Sequence, residues 1–258
     1  MRYLLLLLSM FIAACDAEHG LVKIEEPVVN QALGGIWGGG EYLLIATDGG
    51  QVLWWEPVAG RFGYGTATAT ETSLTATFTL VGVSVPEFPV PPGYDGTLAS
   101  CVATGTIQER QSMTVSVGCT DSDGDEFLSA PDMTLTYMSI YDRDSSLATI
   151  AGLYDIGFNV PSILDINADG TLFSQEAVIE CVTNGQVDII DPDFNLYAVS
   201  LAMSNCNDDT AWLNGMSGTG FFSLDNEFQP GTETLIYLGI NELDGVRWGR
   251  YFDAPRIN

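Results

Sequence analysis

Period two governs the middle of this chain. Thr66-Ala67-Thr68-Ala69-Thr70, Leu74 to Leu80, Met113 to Val117 and Thr134 to Tyr137 alternate polar with apolar or small residues. Successive side chains of a strand point to opposite faces, so this alternation fits sheets with one wet and one buried face. The residues are rich in Thr, Val and Tyr, which suit a half-buried pleated surface. Asp-Gly turns punctuate the runs at Asp48-Gly49, Asp95-Gly96, Asp123-Gly124 and Asp169-Gly170. No stretch sustains a helical period. The expectation is an all-β chain of antiparallel meanders.

Five blocks recur in the same order and suggest two copies of one module. Gly35-Ile36-Trp37 matches Gly152-Leu153-Tyr154, and Leu43 to Gly49 matches Ile163 to Gly170. Cys101 to Ile107 matches Cys181 to Val187, Val115 to Cys119 matches Val199 to Cys206, and Thr134 to Tyr137 matches Thr234 to Tyr237. The first module, 34–149, carries an extra Thr-rich hairpin and a Pro loop from Val85 to Pro92. The second, 150–258, is expected to be tighter. Six to eight short strands apiece close into a small barrel or curved sandwich, which removes exposed edges. The Gly-x-Trp and Gly-x-Tyr openings resemble the first strand of lipocalin- and avidin-like barrels, although a glycine beside a core aromatic gives the same pattern. The duplicated arrangement resembles uncharacterised proteobacterial lipoproteins, and that resemblance brings no activity with it.

The chain opens MRYLLLLLSMFIAAC. One charge, Arg2, precedes an apolar run that is too short for the ~20 residues of a membrane span, and small residues follow it. That is the layout of an export signal, 1–14. Ile12-Ala13-Ala14-Cys15 resembles the lipobox of bacterial lipoproteins, which implies lipidation of Cys15 and a membrane anchor. Residues 15–33 read as a lipidated tether. Asp16 resembles an inner-membrane retention signal in some bacteria, so inner and outer membrane both stay open. The expected location is the cell envelope.

Removing residues 1–14 takes away one Arg and moves the net charge from −26 to −27. Lys23 is the single lysine. Such a surface argues against nucleic acid, whose phosphates are held by cations, and against docking on anionic lipid. A salty habitat accounts for it more simply than a cationic partner.

Besides Cys15 the chain holds Cys101, Cys119, Cys181 and Cys206. Cys101 and Cys119 are centred on residue 110, in the polar stretch Gln108 to Gln111. Cys181 and Cys206 are centred between Asp193 and Phe194, in the turn Asp191 to Asn195. Each pair flanks a turn as cross-strand partners do, and adjacent strands bring Cα atoms within the ~7 Å a disulfide needs. The expected pairs are Cys101–Cys119 and Cys181–Cys206. A zinc site is disfavoured, because no Cys-x-x-Cys spacing occurs.

Residues 165–176 match the calcium-loop pattern through Asp165, Asn167, Asp169, Gly170 and Glu176. That loop needs a helix on either side. Here Gly157 and Pro161 interrupt the segment before it, and Val178 to Asp188 reads as strand. The expectation is therefore a β-turn with outward polar residues and no resident metal or other cofactor. The acidic loop Asp121 to Glu126 has its glycine misplaced for the same pattern and reads as a solvated turn.

No catalytic residue is assigned. The only histidine is His19, in the tether, so a Ser-His-Asp or Cys-His site has no base. No nucleophile elbow, Ser-x-x-Lys or phosphate loop occurs. Asp142-Arg143-Asp144 reads as an inter-module salt bridge. Trp54-Trp55 and Phe221-Phe222 place adjacent aromatics on opposite strand faces, one of each in a core and the other outward or between the modules. The leading expectation is a non-enzymatic envelope lipoprotein that binds a protein partner or acts structurally. The alternatives are a barrel holding a small ligand or inhibiting a hydrolase, and a carbohydrate-active enzyme with two carboxylates about 5–10 Å apart in a cleft.

Overall fold

The computed structural model describes residues 32–82, 95–157, 162–176, 180–226 and 232–257. The signal segment, Cys15, His19 and the whole Pro loop lie outside them. The described chain is all-β. The first barrel is built from β1 (Gly35–Gly39), β2 (Tyr42–Ala46), β3 (Gln51–Glu56), β4 (Arg61–Thr70), β5 (Ser73–Gly82), β6 (Thr97–Gln108), β7 (Ser112–Thr120) and β8 (Glu126–Tyr137). The second comprises β9 (Gly152–Asp155), β10 (Ile163–Ile166), β11 (Thr171–Gln175), β12 (Val182–Ile189), β13 (Tyr197–Ser204), β14 (Ser217–Asp225), β15 (Thr234–Leu243) and β16 (Val246–Ile257). Each sheet is an antiparallel meander that closes on itself, β8 onto β1 and β16 onto β9. A 3-10 turn (Ser139–Asp142) and one helical turn, α1 (Leu147–Ile150), join the barrels. Ser146 caps α1 by accepting from the Thr149 N–H.

Alternation builds each interior. On β4, Gly63, Ala67 and Ala69 point inward while Thr66, Thr68 and Thr70 face water. The small inward residues leave room for Trp54 and Phe78. A Cβ added at Gly63 meets Phe78 at 2.9 Å and Trp54 at 3.1 Å. In barrel 2 the interior is filled by Tyr154, Tyr197, Phe222, Tyr237 and Phe252, and α1 contributes Leu147 and Ile150 to it.

The first strands share a device. Trp37 on β1 and Tyr154 on β9 are fully buried. Each donates to the carbonyl four residues back, Trp37 to Leu33 at 3.0 Å and Tyr154 to Ile150 at 2.6 Å. The incoming chain is thereby pinned to the end of its barrel.

The matched sequence blocks do not all hold equivalent places in the two barrels. The two opening blocks fall on equivalent strands, β1 with β9 and β2 with β10. The later blocks do not. Cys101 to Ile107 lies on the sixth strand of barrel 1, whereas Cys181 to Val187 leads into the fourth strand of barrel 2. The Thr-rich hairpin β4–β5 is also no addition, because both barrels have eight described strands and it is an integral part of the first wall. Every hairpin of a meander reuses alternation and turn chemistry, so blocks match without holding the same place in a barrel.

Candidate functional site

Both disulfides join the expected cysteines. Cys101 and Cys119 are direct partners in the β6–β7 register and face the interior beside Trp54. Cys181 and Cys206 lie one residue out of register, because β12 and β13 pair Val182 with Ser204. Asn205, with a φ of 55°, takes up that offset. Such bonds belong to proteins that mature in an oxidising compartment outside the cytoplasm.

The barrels meet along an aromatic and polar seam. Of the two adjacent aromatic pairs, Trp54 and Phe222 fill barrel interiors, and Trp55 and Phe221 face the seam. Trp55 stacks on Tyr251, and Phe62 occupies the space beside Gly249, where a Cβ would lie 2.2 Å from its ring. Arg247 of β16 pairs with Glu242 at 2.7 Å and donates to the Tyr64 hydroxyl across the seam at 3.2 Å. Its backbone N–H donates to the Asp95 carbonyl. Gly96, at φ +86°, lies so close to the Arg247 carbonyl that a Cβ would be 1.9 Å away, so this turn admits glycine alone.

The linker is shared between the two barrels. Asp142 pairs with Arg110 of barrel 1 at 2.9 Å and accepts from the Tyr137 hydroxyl at 2.7 Å. Arg143 reaches the other way, to Glu233 at 3.0 Å and the Leu224 carbonyl at 2.9 Å. Glu233 also holds Arg256 at 3.0 Å. The arginine of Asp142-Arg143-Asp144 is thus an ion-pair partner for barrel 2, and its neighbour Asp142 serves barrel 1. Phe194 inserts between Tyr141 (4.7 Å, near-parallel) and the Arg110 guanidinium (5.1 Å). Beside them Asp48 is held above the usual carboxylate range, by burial first and then by the neighbouring charge of Asp191. Burial likewise pushes the Tyr251 hydroxyl up to about 12.

The calcium-pattern residues form a hairpin. Asp165 pairs with Phe173 across β10 and β11. In the turn the Asp169 carboxylate accepts from the Thr171 N–H and hydroxyl, at 3.0 and 2.7 Å. Asn167 donates to the Thr171 hydroxyl at 3.0 Å. The Asp169 carboxylate and the Asn167 amide thus serve the turn, and Glu176 lines the barrel interior. Among the described residues no three His, Cys, Asp or Glu side chains gather as a metal site.

Neither interior is a ligand chamber of ordinary size. Barrel 1 encloses about 40 Å3 lined by apolar side chains, among them Leu74, Met113 and Met133. Barrel 2 encloses about 30 Å3. Drug-sized ligands occupy roughly 300–1,000 Å3.

The exposed apolar surface concentrates on the outside of barrel 2. Ile257, Leu153 and Phe173, with Asp165 between the last two, form a row across β16, β9, β10 and β11, and Ile163 lies beside it opposite Asp155. The four apolar residues are each 41–43 % exposed. Sequence reading missed this row. Its signal was the doublets Leu153-Tyr154, Ile163-Leu164 and Leu172-Phe173, where alternation gives way to apolar residues on both faces.

No family model, curated protein or solved structure matches the chain. The function rests on the molecule's own geometry.

Proposed function

We propose that this protein is a lipid-anchored envelope lipoprotein without chemistry of its own, holding a partner protein against the outer wall of barrel 2. One observation carries the reading: the barrels are filled by their own side chains, so recognition falls to the outside. There Ile257, Leu153, Phe173 and Ile163 are half-exposed apolar side chains on neighbouring strands that the seam does not use. Contiguous exposed apolar residues rimmed by polar ones mark interaction sites. Asp155 lies opposite Ile163 at the edge of this row and Asp165 within it, in a chain of net charge −26. The fitting partner presents an apolar strip flanked by lysine or arginine.

Cys15 supplies the anchor in this reading, because more than one acyl chain gives stable membrane attachment at about 0.8 kcal/mol per buried methylene. The seam holds the two barrels against each other, and each disulfide staples the wall of its own barrel.

The test is co-purification from envelope extracts of the unaltered protein and of a Leu153→Glu, Phe173→Glu variant. The reading expects one protein that is lost with the variant and kept with a Thr104→Glu control on barrel 1. Recovery indifferent to all three substitutions contradicts it. Membrane fractionation supplies the second arm. Cys15→Ala is expected to move the exported chain to the soluble fraction, and unchanged sedimentation contradicts the anchor.

A further inference from the structure

The interiors of the two barrels differ in kind. The space inside barrel 1 is bounded by hydrocarbon and thioether groups. That inside barrel 2 is bounded by Ser174, Glu176, Thr183, Asn241 and Arg250 as well as apolar residues. Alternation places them there. Tyr237, Gly239 and Asn241 share a face of β15, and Arg250 shares the inner face of β16 with Trp248 and Phe252. Gly239 makes room for the Tyr237 hydroxyl, since a Cβ there would lie 2.1 Å from that oxygen.

Several buried polar groups here have no hydrogen-bond partner among the described residues. Asn241 is 1 % exposed, and among the described residues neither its amide nitrogen nor its oxygen has a hydrogen-bond partner. The Ser174 and Tyr237 hydroxyls are in the same state. Five of the six arginines among the described residues form ion pairs. Arg250 is the sixth: it lies 5.9 Å from the Phe252 ring and forms no ion pair within 4 Å among the described residues, although Glu176 lines the same space.

The chemistry of these groups selects the occupant. The Asn241 oxygen needs a donor and its nitrogen an acceptor at the same time. A cation offers nothing to the nitrogen. An anion offers nothing to the oxygen and faces Glu176 in a strongly acidic chain. An apolar guest satisfies neither, and buried polar groups are costly to leave unpaired. A small neutral molecule that both donates and accepts meets every requirement. At roughly 10–15 Å3 per water, the enclosed space holds about two.

We propose that barrel 2 carries an internal site for a pair of bound waters, which link Glu176 to Arg250 through Asn241 and Ser174, while the matching space in barrel 1 stays dry. This site is independent of the partner surface on the outer wall.

The methionines provide an internal control. Met113 and Met133 line the space in barrel 1, and Met203 and Met216 that in barrel 2. The experiment labels the methionine methyl groups of the full chain with carbon-13 and records water-to-methyl cross-peaks in the rotating frame. Cross-peaks of long-lived water are expected at Met203 and Met216 and none at Met113 and Met133. Their absence at Met203 and Met216, or equal intensity at all four methyls, overturns the proposal. Asn241→Leu is expected to abolish the barrel 2 cross-peaks, with Ser174→Ala as the milder second variant should the first not fold. Full-strength cross-peaks in a folded variant overturn the assignment to these residues.

Discussion

Trp55 of barrel 1 lies flat on Tyr251 of barrel 2, with ring centroids 3.7 Å apart and planes within 15°. The contact makes the seam a measurable energetic unit. Stacked aromatic pairs contribute about 0.5–1.5 kcal/mol beyond the area they bury. A double-mutant cycle on Trp55→Ala and Tyr251→Ala is therefore expected to give a coupling of about 1 kcal/mol in urea unfolding. Strict additivity would mean that the barrels do not hold each other through this pair.

Glu233 serves two arginines from different parts of the chain, Arg143 of the linker and Arg256 of β16. Glu233→Gln leaves both guanidiniums without their charge partner in a half-buried setting. The expected loss is about 2 kcal/mol of unfolding free energy, and it shrinks at high salt. A variant as stable as the parent at low salt contradicts a stabilising role for this ion-pair cluster.

Asp48 carries a carboxyl held above its ordinary range by burial and by Asp191. A raised carboxyl pKa means the folded state binds its proton more tightly than the unfolded chain. Its contribution is thus most favourable at acid pH and is lost as pH rises through the folded value. Asp48→Asn is expected to raise the melting temperature at pH 7, and the gain is expected to vanish as pH falls below the carboxylate range. A gain that persists at low pH points to a cause other than ionisation.

The disulfides close loops with sequence separations of 18 and 25. On the loop-entropy account each contributes about 3 kcal/mol. Cys101→Ala with Cys119→Ala, and Cys181→Ala with Cys206→Ala, are each expected to lower the unfolding free energy by that order. Non-reducing peptide mapping is expected to find only these two joined pairs beyond Cys15. A Cys119–Cys181 peptide contradicts the barrel arrangement.

The fold class was legible because period-two alternation is a local property, written in runs such as Thr66 to Thr70. The disulfides were legible because turn symmetry is local too, and Cys101 with Cys119 follows it to the residue. The one-residue offset at Asn205 was not, since only its positive φ reveals it. Strand position within a barrel is a global property, which is why blocks on β6 and β12 matched without equivalence. The split at Trp54-Trp55 and Phe221-Phe222 was readable as opposite faces, but the partner Tyr251 lies some two hundred residues away in sequence. The calcium pattern at Asp165 to Glu176 could be set aside from sequence, because its strand context, seen as the β10–β11 hairpin, decides where those side chains point. The polar interior of barrel 2 left no signal, since Asn241 and Arg250 look like surface residues until the parity of β15 and β16 is known.

The outer wall of barrel 2 is proposed as the place where this molecule meets a partner. The most direct measurement places a photo-crosslinking amino acid at Phe173 in one strain and at Thr104 on the outer wall of barrel 1 in another, each in the full chain in living cells. A single crosslinked envelope protein is predicted from Phe173, lost when Leu153→Glu is added, with nothing above background from Thr104. Equal crosslinking from both positions, or none from Phe173, contradicts the account.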